Sequence, residues 1–164
     1  MAEIPEKMES INLAPENGVV LVADQEILSS YEEAWNQLIS LIAGVGPTQT
    51  YAWFSSFLKH KKPANQKWVC AFSFHEKKLT GVLPLLILKT IKLPFFSIKL
   101  FSPPFDFFHT LRVDAIFRPG FEHHYDLIIK KIARELRTFP LVNVRYIPEF
   151  SASSQAALRH GAAI

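Results

Sequence analysis

Two stretches of helical periodicity come before any long run of strand periodicity, and that order limits the folds open to this chain. Between Ser29 and Gly44, residues Ala34, Trp35, Leu38, Ile39, Leu41 and Ile42 recur at three- and four-residue spacing, which predicts a helix with one apolar stripe. Ser29 and Ser30 stand just before Glu32 and Glu33, a pattern of N-cap followed by acids in the first turn. Gly44-Val45-Gly46-Pro47 stops that helix, and Thr48 is the expected cap of a second one running to His60. Then the period changes. Trp68 to Phe74 and Leu79 to Leu88 read as two buried arms of a β-hairpin, joined by the polar connection His75-Glu76-Lys77-Lys78. Pro84 in the second arm predicts a bulge or an edge, because proline has no N–H for the ladder.

Shorter segments complete the layout. Val19 to Val22 is a candidate edge strand. Phe95 to Phe101 reads as a third strand with Lys99 facing solvent, and Leu111 to Phe117 as a fourth. A helix is expected from Phe121 to Arg137, burying Leu127, Ile128, Ile132 and Leu136. The strand Leu141 to Ile147 follows, with another helix from about Ser153. Helices before, within and after one set of strands imply an α/β fold, a mixed sheet flanked by helices.

A chain of 164 residues supports one domain, and fourteen Phe with three Trp supply its core. Residues 1–17 are polar and acidic and read as a flexible N-terminal arm, leaving 18–164 as the domain. The net charge of +3 is scattered, which argues against nucleic acid as a partner. The single Cys70 sits in an apolar strand, and it cannot form an intramolecular disulfide. The opening twenty residues hold no apolar block of the secretory type. The most apolar stretch, Leu79 to Leu100, is broken by lysines and prolines, so no transmembrane helix is expected and the cytoplasm is the default location. A strand such as Leu141 to Ile147 should be paired or covered on both sides, which implies a longer protein or a partner chain.

Four runs carry a resemblance: Tyr31-Glu32-Glu33-Ala34-Trp35-Asn36-Gln37-Leu38, Thr48-Gln49-Thr50-Tyr51-Ala52-Trp53, Lys78-Leu79-Thr80-Gly81-Val82-Leu83-Pro84-Leu85, and Tyr146-Ile147-Pro148-Glu149-Phe150-Ser151. In this order and spacing, over about Tyr31 to Leu158, they resemble the N-terminal half of the CelD-like acetyltransferases, relatives of the FemAB transferases. The resemblance implies a GNAT-like fold, here the first of two tandem halves, with the chain cut before the second. It implies acyl transfer from acyl-CoA or a related thioester to an amine or hydroxyl of a polysaccharide or cell-envelope precursor in bacteria. It further implies that the missing half, or a second copy in a homo-oligomer, completes the enzyme, that donor binding belongs to that half, and that this segment alone is inactive. The alternative is a non-catalytic interaction module with a degenerate acyl-CoA site.

Two groups of residues are candidates for chemistry. A pyrophosphate loop needs backbone N–H groups aimed outward from a helix N-terminus. Phe117-Arg118-Pro119-Gly120-Phe121-Glu122 offers Arg118 and Gly120 for this, while Pro119 has no N–H and Glu122 brings negative charge. The competing reading is a Pro-Gly helix start with an N-terminal acid. Asp106 and His109 could form an acid–base pair at the mouth of the sheet, with imidazole poised near neutral pH; the competing reading is a solvated loop. No metal is expected: adjacent His123 and His124 point in different directions and lack ligand spacing. Gly44-x-Gly46 follows a helix and so reads as a stop, not a dinucleotide motif. Phe95, Phe96, Phe101, Phe105, Phe107 and Phe108 read as core or as the lining of a groove.

Overall fold

Asp24 starts the helical layer earlier than the serines suggested. Its carboxylate accepts from the N–H groups of Glu26 and Ile27, capping α1 (Gln25–Ser29). This short helix precedes the expected one, which corresponds to α2, running Glu32–Ser40 from an N-cap, Tyr31, that makes no side-chain cap bond. Ser29 and Ser30 N-cap neither, and Ser30 is instead the C-cap of α1, its N–H donating to Ile27 O and Leu28 O. The second helix is also displaced. Pro47–Gln49 form a 3-10 turn, and Thr50 rather than Thr48 accepts from the Trp53 N–H to cap α3 (Tyr51–His60). The structure is a computed structural model that describes residues 14–104 and 114–143. Asp106, His109, Phe105, Phe107, Phe108, the strand start at Leu111 to Val113, residues 144–147 and the helix expected near Ser153 lie outside the described residues.

The six-stranded mixed sheet comprises β1 (Asn17–Val22), β2 (Lys67–His75), β3 (Lys78–Lys92), β4 (Ser97–Ser102), β5 (Ile116–Phe117) and β6 (Thr138–Val142). The main path is β1-β2-β3-β4-β6, with β5 paired to β3. All pairs are antiparallel except β4 with β6. The last helix, α4 (His124–Glu135), lies in sequence between β5 and β6. The expected α/β architecture, a mixed sheet flanked by helices, is thus present.

Alternation in the strands builds a core on each face. On one face Cys70, Phe72 and Phe74 of β2 meet Leu28, Tyr31, Trp35, Leu38, Phe54 and Phe57 from α1 to α3. Trp35 is fully buried and donates its indole N–H to Gln49 O at 2.9 Å, which ties α2 to the turn before α3. On the other face Val69 and Ala71 meet Tyr125, Ile128 and Ile132 of α4, with Phe101 and Phe117. Leu127 is exposed, contrary to expectation. It precedes Ile128 by one residue, roughly 100° around the helix. The buried stripe instead runs through His124, Tyr125, Ile128 and Ile132.

The hairpin turn is tighter than the polar run implied. Only Glu76 and Lys77 link the strands, at φ 50 and 62. Both are held from β1's end: the Glu76 N–H donates to Asn17 Oδ1 and the Lys77 N–H to Glu16 O. Pro84 marks no bulge, and it stands at a local edge of β3 among the described residues. It pairs with Cys70, and the irregularities lie at Ser73/Phe74 and Ile87/Lys89. The strand tolerates it because, among the described residues, β3's other flank is paired to β5 only at Gly81 and Val82 and to β4 only from Leu86, leaving a gap opposite Pro84. Lys99 is half-buried, not solvent-facing. Its ammonium donates to Leu136 O at 3.3 Å, and burial, aided by Lys67, lowers its pKa. At the far side Asn143 donates its N–H to Phe101 O at 2.7 Å, so odd-numbered residues of β6 turn their backbone groups toward β4. Pro140 therefore stands on the side of β6 that has no partner strand among the described residues, where it has no N–H to offer. Among the described residues no helix is long and apolar enough to cross a membrane.

Candidate functional site

The chain leaves β5 through Arg118, turns at Pro119-Gly120, and enters α4 at His124. The Arg118 N–H donates to Thr80 O at 2.8 Å, which fixes this loop to β3. Its guanidinium carbon sits 6.0 Å from the centre of the Phe121 ring, at the limit of a cation–π contact. Gly120 has φ +90, a conformation that favours glycine, and open space around it. Its N–H donates to both carboxylate oxygens of Glu122, at 3.0 and 3.2 Å. The following donors are also engaged: Phe121 with Arg118 O, His124 with Phe121 O, Tyr125 with Glu122 O and Asp126 with His123 O. Arg118 and Gly120 are thus brought together, but the loop's own acid holds the glycine N–H that an anion would need. The helix opens at His124, three residues later than expected, and its N-cap His123 makes no side-chain cap bond.

Beside the loop lies a buried polar chain that no sequence spacing signalled. Ser73 of β2, Thr80 of β3 and His124 of α4 are all buried. Thr80 Oγ1 lies 3.0 Å from Ser73 O, 3.3 Å from Ser73 Oγ and 3.0 Å from His124 Nδ1. A hydroxyl has one proton, and a carbonyl oxygen can only accept, so Thr80 donates to Ser73 O. His124 Nδ1 must then donate to Thr80 Oγ1. This assigns the Nδ1–H tautomer and leaves the lone pair on Nε2. Burial lowers the His124 pKa, and neighbouring His123 and His75 lower it further, so the ring is neutral at pH 7.

Aromatic rings wall the corner. Phe121 is 5.3 Å from His75 and 5.2 Å from His124, and the His123 and His124 rings are 4.6 Å apart, centre to centre. No group of three or more His, Cys, Asp or Glu side chains arranged to hold a metal ion occurs among the described residues. Cys70 is fully buried and burial raises its pKa well above the usual thiol value, so it is an inert core residue. A depression of about 750 Å³ lies elsewhere, along the outer side of α2 between Ser29 and Ser40. Glu32 and Glu33 in its lining make it a poor seat for an anion.

No protein-family model matches the chain, and no curated protein does. Among solved structures it is similar to the crystal structure of a ribosomal-protein-alanine N-acetyltransferase from Brucella melitensis biovar Abortus 2308. The identity is 11% and the TM-score 0.46, over 90% of this chain and 92% of that one.

Proposed function

We propose that the chain is a GNAT-like domain of an acyltransferase of the CelD/FemAB type. It would serve transfer of an acyl group from a thioester donor such as acetyl-CoA to an amine or hydroxyl of a polysaccharide or envelope precursor. The observation that carries the reading is the passage from β5 through the Arg118 loop into α4 and on to β6. It sets a helix N-terminus, an arginine and a glycine with positive φ at one corner of a mixed sheet, the arrangement that favours anions. Arg118 and Gly120 would meet donor phosphates there once Glu122 turns away. Neutral His124, with its lone pair on Nε2, adds a proton acceptor to the same corner. Asp106 and His109 are the proposed acid–base pair for the acceptor. A second half or a second copy would complete the site.

The alternative, a non-catalytic interaction module, is favoured by one specific observation: the N–H groups of Arg118, Gly120, Phe121 and His124 are already engaged within the chain. Thermal unfolding with acetyl-CoA titrated to millimolar separates the two readings. Donor binding predicts a rise in Tm that Arg118→Ala abolishes, and an affinity that Glu122→Gln improves about threefold to tenfold by removing a like charge. No shift in either the wild-type or the Glu122→Gln protein removes donor binding from this corner and leaves the module reading.

A further inference from the structure

The far end of the β3–β4 hairpin has no use in the site above, and it is built unlike the rest of the surface. β2 pairs with β3 only as far as Ile87, and burial along β3 ends there. Beyond that point β3, β4 and β6 continue as a three-stranded extension, closed at its tip by the Leu93 N–H donating to Phe96 O. Seven of the nine large hydrophobic residues exposed among the described residues lie on this extension. Phe95 is 97% exposed and Phe96 53%, next to Leu93 at the tip. Register puts Phe139 and Leu141 on the face that Ile91 and Ile98 share, beyond the reach of the α1–α3 core. Such concentration on one protrusion marks a contact surface.

Charge decides what it contacts. From Lys77 to Phe105 the sequence holds five lysines and no carboxylate. Lys89 and Lys92 are exposed on the distal arm, and Lys92 is three residues from Phe95. At about 3.3 Å per residue, the backbones of Lys92 and Phe95 are at most roughly 10 Å apart, about one Debye length. Aromatic rings at an apex with cations set just behind match the depth profile of an anionic bilayer, apolar boundary first and headgroups next. A second copy of the chain would bring the same lysines against themselves.

We propose that this hairpin extension is a membrane-surface anchor. Phe95 and Phe96 enter the acyl–headgroup boundary while Lys89 and Lys92 meet anionic lipid headgroups. The anchor does not depend on the acyltransfer reading, and it places the corner at Arg118 on a protein held to a lipid surface.

Sedimentation with vesicles of phosphatidylcholine, with and without an equal share of phosphatidylglycerol, tests it. The protein is expected to pellet with the anionic vesicles and to be released by salt. Phe95→Ser with Phe96→Ser should weaken partitioning at least about tenfold. Lys89→Gln with Lys92→Gln should remove the preference for phosphatidylglycerol while leaving thermal unfolding unchanged. Both pairs are exposed, so loss of fold is not the expected cause, and circular dichroism of each variant checks this. Failure to pellet with either vesicle, or pelleting indifferent to the phenylalanine changes, overturns the proposal. A concentration-dependent dimer that the phenylalanine changes abolish, without vesicle binding, overturns it in favour of self-association.

Discussion

Gly81 holds the sheet and the candidate corner together, and adding one methyl group there should break both. It lies opposite Phe117 in the β3–β5 register. A Cβ at this position would stand 2.2 Å from Phe117 Cδ1, 2.3 Å from Cε1 and 2.6 Å from Ser73 Oγ. Carbon atoms pack at about 3.5–4.0 Å, so the ring must retreat by more than about 1 Å. It has nowhere easy to go, because it is buried and packed edge-on against Tyr125 of α4. Overpacking costs about 1–3 kcal/mol, and two blocked neighbours put Gly81→Ala near about 3 kcal/mol. With a urea slope of about 2 kcal/mol per molar, the unfolding midpoint should fall by about 1.5 M. Phe117→Ala alone should cost about 3–5 kcal/mol through the cavity it leaves. If the clash is the cause, the double variant should be little worse than Phe117→Ala, a coupling of about 2 kcal/mol in a double-mutant cycle. Strictly additive costs, or a Gly81→Ala midpoint within about 0.25 M of wild type, would refute the reasoning.

Other perturbations follow from the same structure. His124 has a folded-state pKa below its unfolded value, so the unfolded chain takes up a proton first as pH falls. Stability should drop as pH descends through about 6.5 and level off below the folded pKa. His124→Asn, which keeps a donor near Thr80, should flatten that slope in pH-dependent urea melts; an unchanged slope counts against the assignment. Tyr31 has a buried hydroxyl with no partner among the described residues, while its ring stacks on Phe72 at 4.2 Å. Tyr31→Phe should leave stability unchanged or raise it by up to about 1 kcal/mol, and a loss of that size in denaturant melts would mean that the hydroxyl is satisfied. Replacing Glu76 by Asn and Lys77 by Gly matches side chains to a turn with positive φ at both positions. A gain of about 1 kcal/mol is expected, and a loss on thermal unfolding would show that the native side chains hold the turn.

The order of elements was legible because period and burial agree over long stretches, as in β2, β3 and the Trp35 stripe. Boundaries slipped where a single side chain decides them. Thr50 won the start of α3 from Thr48, a residue of equal capping propensity, while Asp24 capped a short helix ahead of the expected one and left Ser30 at its C-terminal end. The Glu76-Lys77 turn carries no Gly or Asn, so its left-handed backbone left no mark in the sequence. Lys99 looked solvated because alternation cannot foresee that α4 ends beside it. At the candidate site, the loop was visible as Arg118-Pro119-Gly120, and the acid that answers its glycine was visible as Glu122. The Ser73–Thr80–His124 chain was not, because its members come from three elements and His124 is 44 residues from Thr80. Only pairing of β2 with β3, and packing of α4 against both, brings them together.

Pro140 also governs what the sheet can recruit by accident. Among the described residues nothing pairs beyond β6, and a stray strand that tried to extend the layer there would look for a regular row of hydrogen-bond donors. It would find one at Thr138, a gap at the ring, and the next at Val142. Fibril-like growth is thereby discouraged at the rim where neighbouring Phe139 and Leu141 would otherwise make it adhesive. Replacing this one ring by threonine would remove the safeguard without touching the core.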